Sequence, residues 1–359
     1  MALACAGILL IFDLLWLSTL HYRVPLADFF VYYLAAQTGA AHGWSSMYDP
    51  STFLPTVTID VGRPLPYLNP PQLAWLVVPL SWLPYGIAAA VWGLLLLAAM
   101  ALTWYLAAPG THQLKLIHLL AIATLLPVFV SVLIGQVSLV IVVLVALAWW
   151  LIERDRPWLA GATLGLIALK PQLAFLVPIA LLIAGYWRVF LGWLAVTGVF
   201  LISALLAVGP SIVHQVTESL ARVHGIPGPV QMSLERQLPV PVAAVGMVIV
   251  AAIALVIIRR WNGAGSSIPI AIGLLSSMLL SPYINFYDLS APVLAAWLVL
   301  RTSPPRWQQL SIAALYLPLY LAPIWPLLTL GALCAWLGSL VFVRPSDQAD
   351  RRVAGTLAA

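Results

Sequence analysis

Few side chains in this sequence are equipped for chemistry, and they cluster. Six carboxylates, Asp28, Asp49, Asp60, Glu218, Glu235 and Asp288, fall between apolar runs, and several adjoin aromatic residues. Asp28 is the most suggestive, because it opens a helical pattern beside Phe29, Phe30, Tyr32 and Tyr33. Partial desolvation at a membrane surface would make it a better base. The alternative is a helix N-cap in contact with water. Lys170 lies in Ala168-Leu169-Lys170-Pro171-Gln172, where proline breaks a helix beside a cation. Such a charge needs an anionic partner, unless it snorkels to lipid phosphate. Gln136, after Gly135, either bonds a polar ligand or forms a tight turn. The stretch Ser281-Pro282-Tyr283-Ile284-Asn285-Phe286-Tyr287-Asp288 carries aromatic and amide groups suited to sugar rings and hydroxyls. Its alternative is an interfacial aromatic belt.

The elements that position these residues follow from composition. Of 359 residues, 16 are Lys or Arg and 11 Asp or Glu, and 63% are hydrophobic. That excludes an ordinary water-soluble globule, a disordered tail and a nucleic-acid-binding domain. The class is an all-α polytopic membrane protein. The net charge of +5 reads as topology and not as a ligand preference. Cys5 and Cys334 are far apart with no metal-ligand spacing, and His21, His42, His112, His118 and His214 show none either. The N-terminus reads as a retained first span; its missing basic flank also fits a start further upstream.

At roughly 20 apolar residues per crossing, fewer for buried segments, about twelve spans are expected. They run near Leu3–Leu20, Tyr85–Leu106, Leu114–Leu133, Val137–Ile152, Trp158–Leu169, Gln172–Gly185, Val189–Val208, Val240–Ile258, Ser267–Leu280, Leu289–Leu300, Leu310–Leu321 and Leu327–Val343. Alternate loops gather eleven basic residues on one face, which defines the cytoplasm and places both termini there. Arg23, Arg63, Lys170, Arg222 and Arg236 fall on the opposite, outer face. Two long outer loops, 21–72 and 209–239, form the active-site face of a single domain, 1–343, and 344–359 is a cytoplasmic tail. Asp28–His42 reads as an interfacial helix and Gln72–Leu83 as a re-entrant or surface helix. Arg222, His224, Glu235 and Arg236 read first as loop surface.

These landmarks together carry a resemblance. Asp28 before Val31-Tyr32-Tyr33-Leu34-Ala35-Ala36, then Met47-Tyr48-Asp49, is similar to the opening of glycosyltransferase family 87. Asn69-Pro70-Pro71, Pro79-Leu80-Ser81-Trp82-Leu83-Pro84, Trp92, Gly135-Gln136, Ala160-Gly161, Lys170-Pro171 and Leu280-Ser281-Pro282 follow in order. The resemblance implies a GT-C bundle with an outer-face site, like that of polyprenol-phosphate-mannose-dependent mannosyltransferases. It also implies that Asp28 is the catalytic base and that the donor is a sugar on a polyprenyl monophosphate. Many relatives carry a His-containing sequence after the late Ser-Pro; this chain has Asn285-Phe286-Tyr287-Asp288 instead.

The expected reaction is metal-independent, cofactor-free, inverting hexosyl transfer, mannose foremost, to a lipid or glycan acceptor at the outer face of the cell membrane. Lys170, with Arg63 or Arg236, would compensate the departing lipid phosphate. Tyr32, Tyr33, Asn69, Gln136, Asn285, Tyr287 and Asp288 are the sugar and acceptor candidates. Besides donor and acceptor, the expected partners are membrane lipids, with no nucleic acid. The rival is a transporter or flippase of a polyprenyl-linked sugar, which predicts charges at span centres and access from both sides. No Gly-rich phosphate loop suggests a nucleotide-sugar donor.

Overall fold

A computed structural model describes residues 2–17, 25–61, 65–210, 214, 217–218 and 231–343. Arg23, Arg63, Arg222, His21, His224 and the 344–359 tail lie outside the described residues. The architecture is all-helical. In a chain this apolar, helices satisfy backbone polar groups within each segment, where lipid offers no partner. Three helices are long and apolar enough to cross a membrane: Tyr85–Ala107, Trp187–Val208 and Val240–Arg260. A fourth crossing results if His112–Ala123 and Leu126–Leu133, bent by 63° at their junction, are taken as one. Shorter apolar helices include Pro71–Ser81, Ser138–Ile152 and Ser267–Leu280. These helices mark a multi-pass membrane protein.

Several expected spans are broken, and proline explains most of the breaks. The Leu114–Leu133 span bends ahead of Pro127, which sits in the first turn of the second half. The Gln172–Gly185 span becomes a 3-10 turn at Pro171–Leu173 and a helix at Val177–Ile183. Seven residues reach only about 10 Å, a third of a bilayer core, so this helix does not cross alone. Leu310–Leu321 divides into Arg306–Ala314 and Tyr316–Tyr320. The Trp158–Leu169 span ends its α-helix at Gly165 and tightens to a 3-10 turn over Leu166–Leu169, delivering Lys170 where the ladder stops.

One landmark finds its reason in packing. A Cβ on Gly161 would lie 2.3 Å from the Val189 carbonyl oxygen and 2.8 Å from Gly192 Cα. The Pro157–Gly165 helix therefore meets Trp187–Val208 backbone to backbone, as small residues allow in membrane bundles.

The expected interfacial helix is corrected. It forms over Ala27–His42, but Phe29, Phe30, Val31, Tyr32, Tyr33, Ala35 and Ala36 are all buried. Burial on successive positions means protein on every side of its first turns, in place of one apolar face on lipid. Its rings explain this. Phe29 stacks on Trp92 at 5.0 Å, while Tyr85 meets the Phe30 and Tyr33 rings edge-on at 5.0 and 5.4 Å. Asp49 leads into a further helix, Pro50–Val61, in the proline-dense stretch.

Candidate functional site

The site is built where the Ala27–His42 helix begins. Asp28 is not its N-cap, which corrects one of the two sequence readings. The cap position is Leu26, in a left-handed conformation at φ 51°, and it makes no side-chain capping bond. The helix's first donors go elsewhere: the Asp28 and Phe29 amides donate to the Ile134 carbonyl at 2.8 and 3.3 Å. Tyr85 donates its hydroxyl to the Pro25 carbonyl and, at 3.2 Å, to that of Leu26. The helix start is thus tied to the turn that carries Gly135 and Gln136.

That turn requires glycine. Gly135 has φ +76°, and a Cβ there would lie 2.7 Å from Phe29 Cβ. Its carbonyl accepts the Trp92 indole N–H at 2.8 Å, while the Gln136 amide returns to the Ser131 carbonyl at 2.8 Å. So fixed, Gln136 donates through Nε2 to Asp28 Oδ2 at 2.6 Å. Its Oε1 accepts the Tyr32 hydroxyl at 2.7 Å and the Val137 amide at 3.1 Å. The tight-turn reading of Gln136 holds, and its side-chain amide is oriented onto the Asp28 carboxylate. Asp28 is half-buried, and Gln136 holds its carboxylate.

Two residues further on, at the head of the Ser138–Ile152 helix, Ser138 donates to a second carboxylate, Asp288 Oδ1, at 2.6 Å. Lys170 Nζ reaches the same oxygen at 2.5 Å and Ser138 Oγ at 3.0 Å. Lys170 is 4% exposed and Asp288 0%. This overturns snorkelling to lipid, because Lys170 is buried and paired with a buried carboxylate. Asp288 Oδ2 accepts the Asn285 amide at 3.1 Å, closing a capping box with Asn285 over the turn Phe286–Asp288. Both Asp288 oxygens thus have protein partners, and the side chain is closed off from solvent.

Asn285 Nδ2 donates to the hydroxyls of Tyr287 and Tyr283 at 2.7 and 3.1 Å. The Lys170 ammonium lies 5.8 Å from the Tyr287 ring centre. Burial foremost, then the Asp28 charge, holds the Tyr32 phenol well above its usual range. Burial, with Asp288 and Asp28 adding to it against the Asn285 hydrogen bond, pushes Tyr283 up to about 12. Both carboxylates thus act on the same two phenols, which stay protonated at neutral pH; Tyr32 donates to Gln136, while Tyr283 accepts from Asn285. Asp28 and Asp288 belong to one polar cluster.

The remaining expected residues divide. Tyr33 donates to the Leu83 carbonyl at 2.9 Å, in the aromatic core away from the carboxylates. Asn69 gives its backbone carbonyl to the Tyr48 hydroxyl at 2.7 Å. Arg236 is exposed on the short helix Leu234–Gln237. The strand-like pairing of Gln231 with Asn285, with the Met232 amide donating to the Ile284 carbonyl at 2.6 Å, brings that loop end beside the site. Sequence reasoning passed over Ser138 and named Tyr283 only as part of the Ser281–Asp288 stretch, not among the sugar and acceptor candidates. Ser138 had a signal, since it stands two residues past Gln136 at the opening of an otherwise apolar helix. Among the described residues, no group of three or more His, Cys, Asp or Glu is placed to hold a metal ion.

The family model described as glycosyltransferase family 87 matches residues 67–282, more than half of the chain. The chain belongs to glycosyltransferase family 87. No curated protein and no solved structure matches it. The family 87 match contains Gln136, Ser138 and Lys170, which bond the two carboxylates, and Trp92 and Gly135, which hold the turn beside them; Asp28 and Asp288 flank it on either side. As a member of this family, the protein is a glycosyltransferase that acts on a sugar donor and an acceptor.

Proposed function

We propose that the protein transfers a hexose, mannose foremost, from a polyprenyl-phosphate donor to a lipid or glycan acceptor, with inversion and without a metal. The carrying observation is the 2.6 Å bond from Gln136 Nε2 to Asp28 Oδ2, with Gln136 itself held by Tyr32. A base must be oriented as well as basic, and a half-buried carboxylate oriented by Gln136 meets the first condition. Asp28 removes the proton from the acceptor hydroxyl as that oxygen attacks the anomeric carbon. The lipid phosphate departs from the opposite face of the sugar.

The departing phosphate needs positive charge. We assign that part to Arg236, on the segment whose Gln231 pairs with Asn285, and to Arg63. Lys170 acts on the site through Asp288, as a positioning residue. Asn285, Tyr283 and Tyr287 stand as the polar and aromatic surface for the sugar, in place of the His-containing sequence of many relatives. The setting is a single GT-C bundle of about twelve crossings over 1–343, with short and broken helices completing spans in pairs. Both termini lie in the cytoplasm and the carboxylate cluster faces outward in the cell membrane. Family membership favours this reading over a transporter of polyprenyl-linked sugar.

The test is transfer of radiolabelled sugar from synthetic polyprenyl-phosphate donors, mannose first, to a membrane lipid extract by the purified protein, with Asp28→Asn alongside. Label moved by wild type and not by the variant supports both reaction and base. Transfer by a folded Asp28→Asn protein at near wild-type rate would sink the assignment of the base. Saturable lipid binding with no transfer from any donor would move the reading to a transporter.

A further inference from the structure

The Ser138–Ile152 helix has two ends, and the carboxylate cluster occupies only one. Its 15 residues carry the chain about 22 Å to the opposite end of the bundle. There Trp149 and Trp150, with Tyr105, line a cleft of about 270 Å³ together with three cations, Lys115, Arg154 and Arg301. Each cation lies over a ring: Arg154 at 3.6 Å from Trp150, Arg301 at 4.8 Å from Trp149, and Lys115 at 5.9 Å from Tyr105. The aromatic faces hold these side chains in place while leaving their positive charge available.

Arg301 also lines a second, larger cavity of about 860 Å³. Its walls are mostly apolar and come from the helices His112–Ala123, Ala291–Arg301 and Arg306–Ala314, with Ala121, Ala296, Trp297 and Leu319 among the residues facing it. Arg301 donates to the carbonyls of Ala107 at 2.8 Å and Leu106 at 3.0 Å, which fixes its head group at the boundary between the two spaces. Leu114 faces the apolar cavity and its neighbour Lys115 the charged cleft. Glu153 acts on Arg301 from the same end and accepts the Ser266 hydroxyl at 2.9 Å. The three cations therefore outnumber the one carboxylate shown to act there.

A cationic cleft and an apolar cavity sharing one arginine match a molecule with an anionic head and a hydrocarbon tail. We propose that this end of the bundle binds an anionic membrane phospholipid, its phosphate between Lys115, Arg154 and Arg301 and an acyl chain along Ala121, Ala296 and Leu319. A free phosphate would use only the small cleft and leave the 860 Å³ cavity without a role. A neutral phospholipid would give the excess positive charge nothing beyond its zwitterion. The site stands apart from the sugar-transfer cluster and does not rest on the transfer reaction.

The experiment is native mass spectrometry of the full chain in detergent, titrated with phosphatidylglycerol and, separately, phosphatidylcholine of the same acyl chains. Phosphatidylglycerol is expected to bind at least about tenfold more tightly, since each cation near an anionic headgroup contributes about one kcal/mol, and every 1.4 kcal/mol is tenfold. Lys115→Gln with Arg154→Gln is expected to remove that preference, and Ala296→Trp to weaken both lipids by filling the cavity. Arg301 is left intact because it caps a helix. Circular dichroism of each variant separates lost binding from lost folding. Equal binding of the two lipids by wild type, or an undiminished preference in the folded double variant, would overturn the proposal. So would competition by inorganic phosphate at millimolar concentration, which would assign the cleft to a free anion.

Discussion

Lys170 Nζ lies 2.5 Å from Asp288 Oδ1, with both side chains closed off from solvent and Ser138 bonded to each. The two residues are 118 positions apart, one at a proline-terminated 3-10 turn and the other in a capping box. Their pairing joins three segments of the bundle at the site. A buried pair of this kind costs much to break, because the surviving charge has neither water nor partner.

Replacing one partner tests that closure. Lys170→Ala or Asp288→Ala is expected to lower stability by about 3–5 kcal/mol, while Lys170→Met combined with Asp288→Leu loses less than either. Thermal unfolding in detergent measures all three. A single variant as stable as wild type would show that water or another charge reaches the pair.

Gln136 separates orientation from basicity. In Gln136→Ala, Asp28 keeps its carboxylate but loses the 2.6 Å bond that aims it. Turnover is expected to fall about tenfold to a hundredfold with donor affinity retained, a smaller loss than the roughly 10²–10⁴ expected for Asp28→Asn. Steady-state kinetics on both variants decides this. Equal losses would mean that Gln136 contacts substrate directly.

The sequence read well wherever a property belongs to one segment. The apolar runs at Tyr85, Val189 and Val240 appear as long helices within two residues of their expected starts, and Ser267–Leu280 matches at both ends. The broken elements were less legible because composition counts apolar residues, whereas Pro127, Pro171 and Pro178 decide whether a ladder continues. At the site, Asp28, Gln136, Lys170 and Asp288 were each visible as polar residues where a polar residue is costly. Their pairing was not, since one sequence holds no signal joining position 170 to 288 or 28 to 136. The aromatic run after Asp28 misled for a related reason: rings that face other rings have the composition of rings that face lipid.

Tyr283 carries a pH prediction. Its phenol is held near 12 against an ordinary value of 10.0, with burial as the main cause. The folded protein therefore binds this proton more tightly than the unfolded chain does. The resulting stabilisation is complete below pH 10 and is lost as pH rises from 10 to about 12. Unfolding in denaturant across that interval should show the decline in wild type and a shallower one in Tyr283→Phe. Tyrosinate absorbance reports the titration, and an identical slope in both proteins would refute the assignment.

Gly135 is where backbone geometry and chemistry meet. Its φ of +76° is strained for any residue with a side chain, and an added methyl would lie 2.7 Å from Phe29 Cβ and 3.1 Å from Leu26 Cβ. Neither neighbour can swing aside as a flexible chain end does, because both are Cβ atoms at the start of the Ala27–His42 helix. Relief requires the helix start and the turn to separate, which lengthens the hydrogen bonds from the Asp28 amide to the Ile134 carbonyl and from Gln136 Nε2 to Asp28 Oδ2. Gly135→Ala is thus expected to cost about 1–3 kcal/mol of stability. It should also reduce transfer at least as far as Gln136→Ala at temperatures where the protein remains folded. Parallel unfolding and transfer measurements distinguish the two losses. A Gly135→Ala protein that unfolds early yet transfers sugar at the wild-type rate would show that the turn supports the fold without setting the position of Asp28.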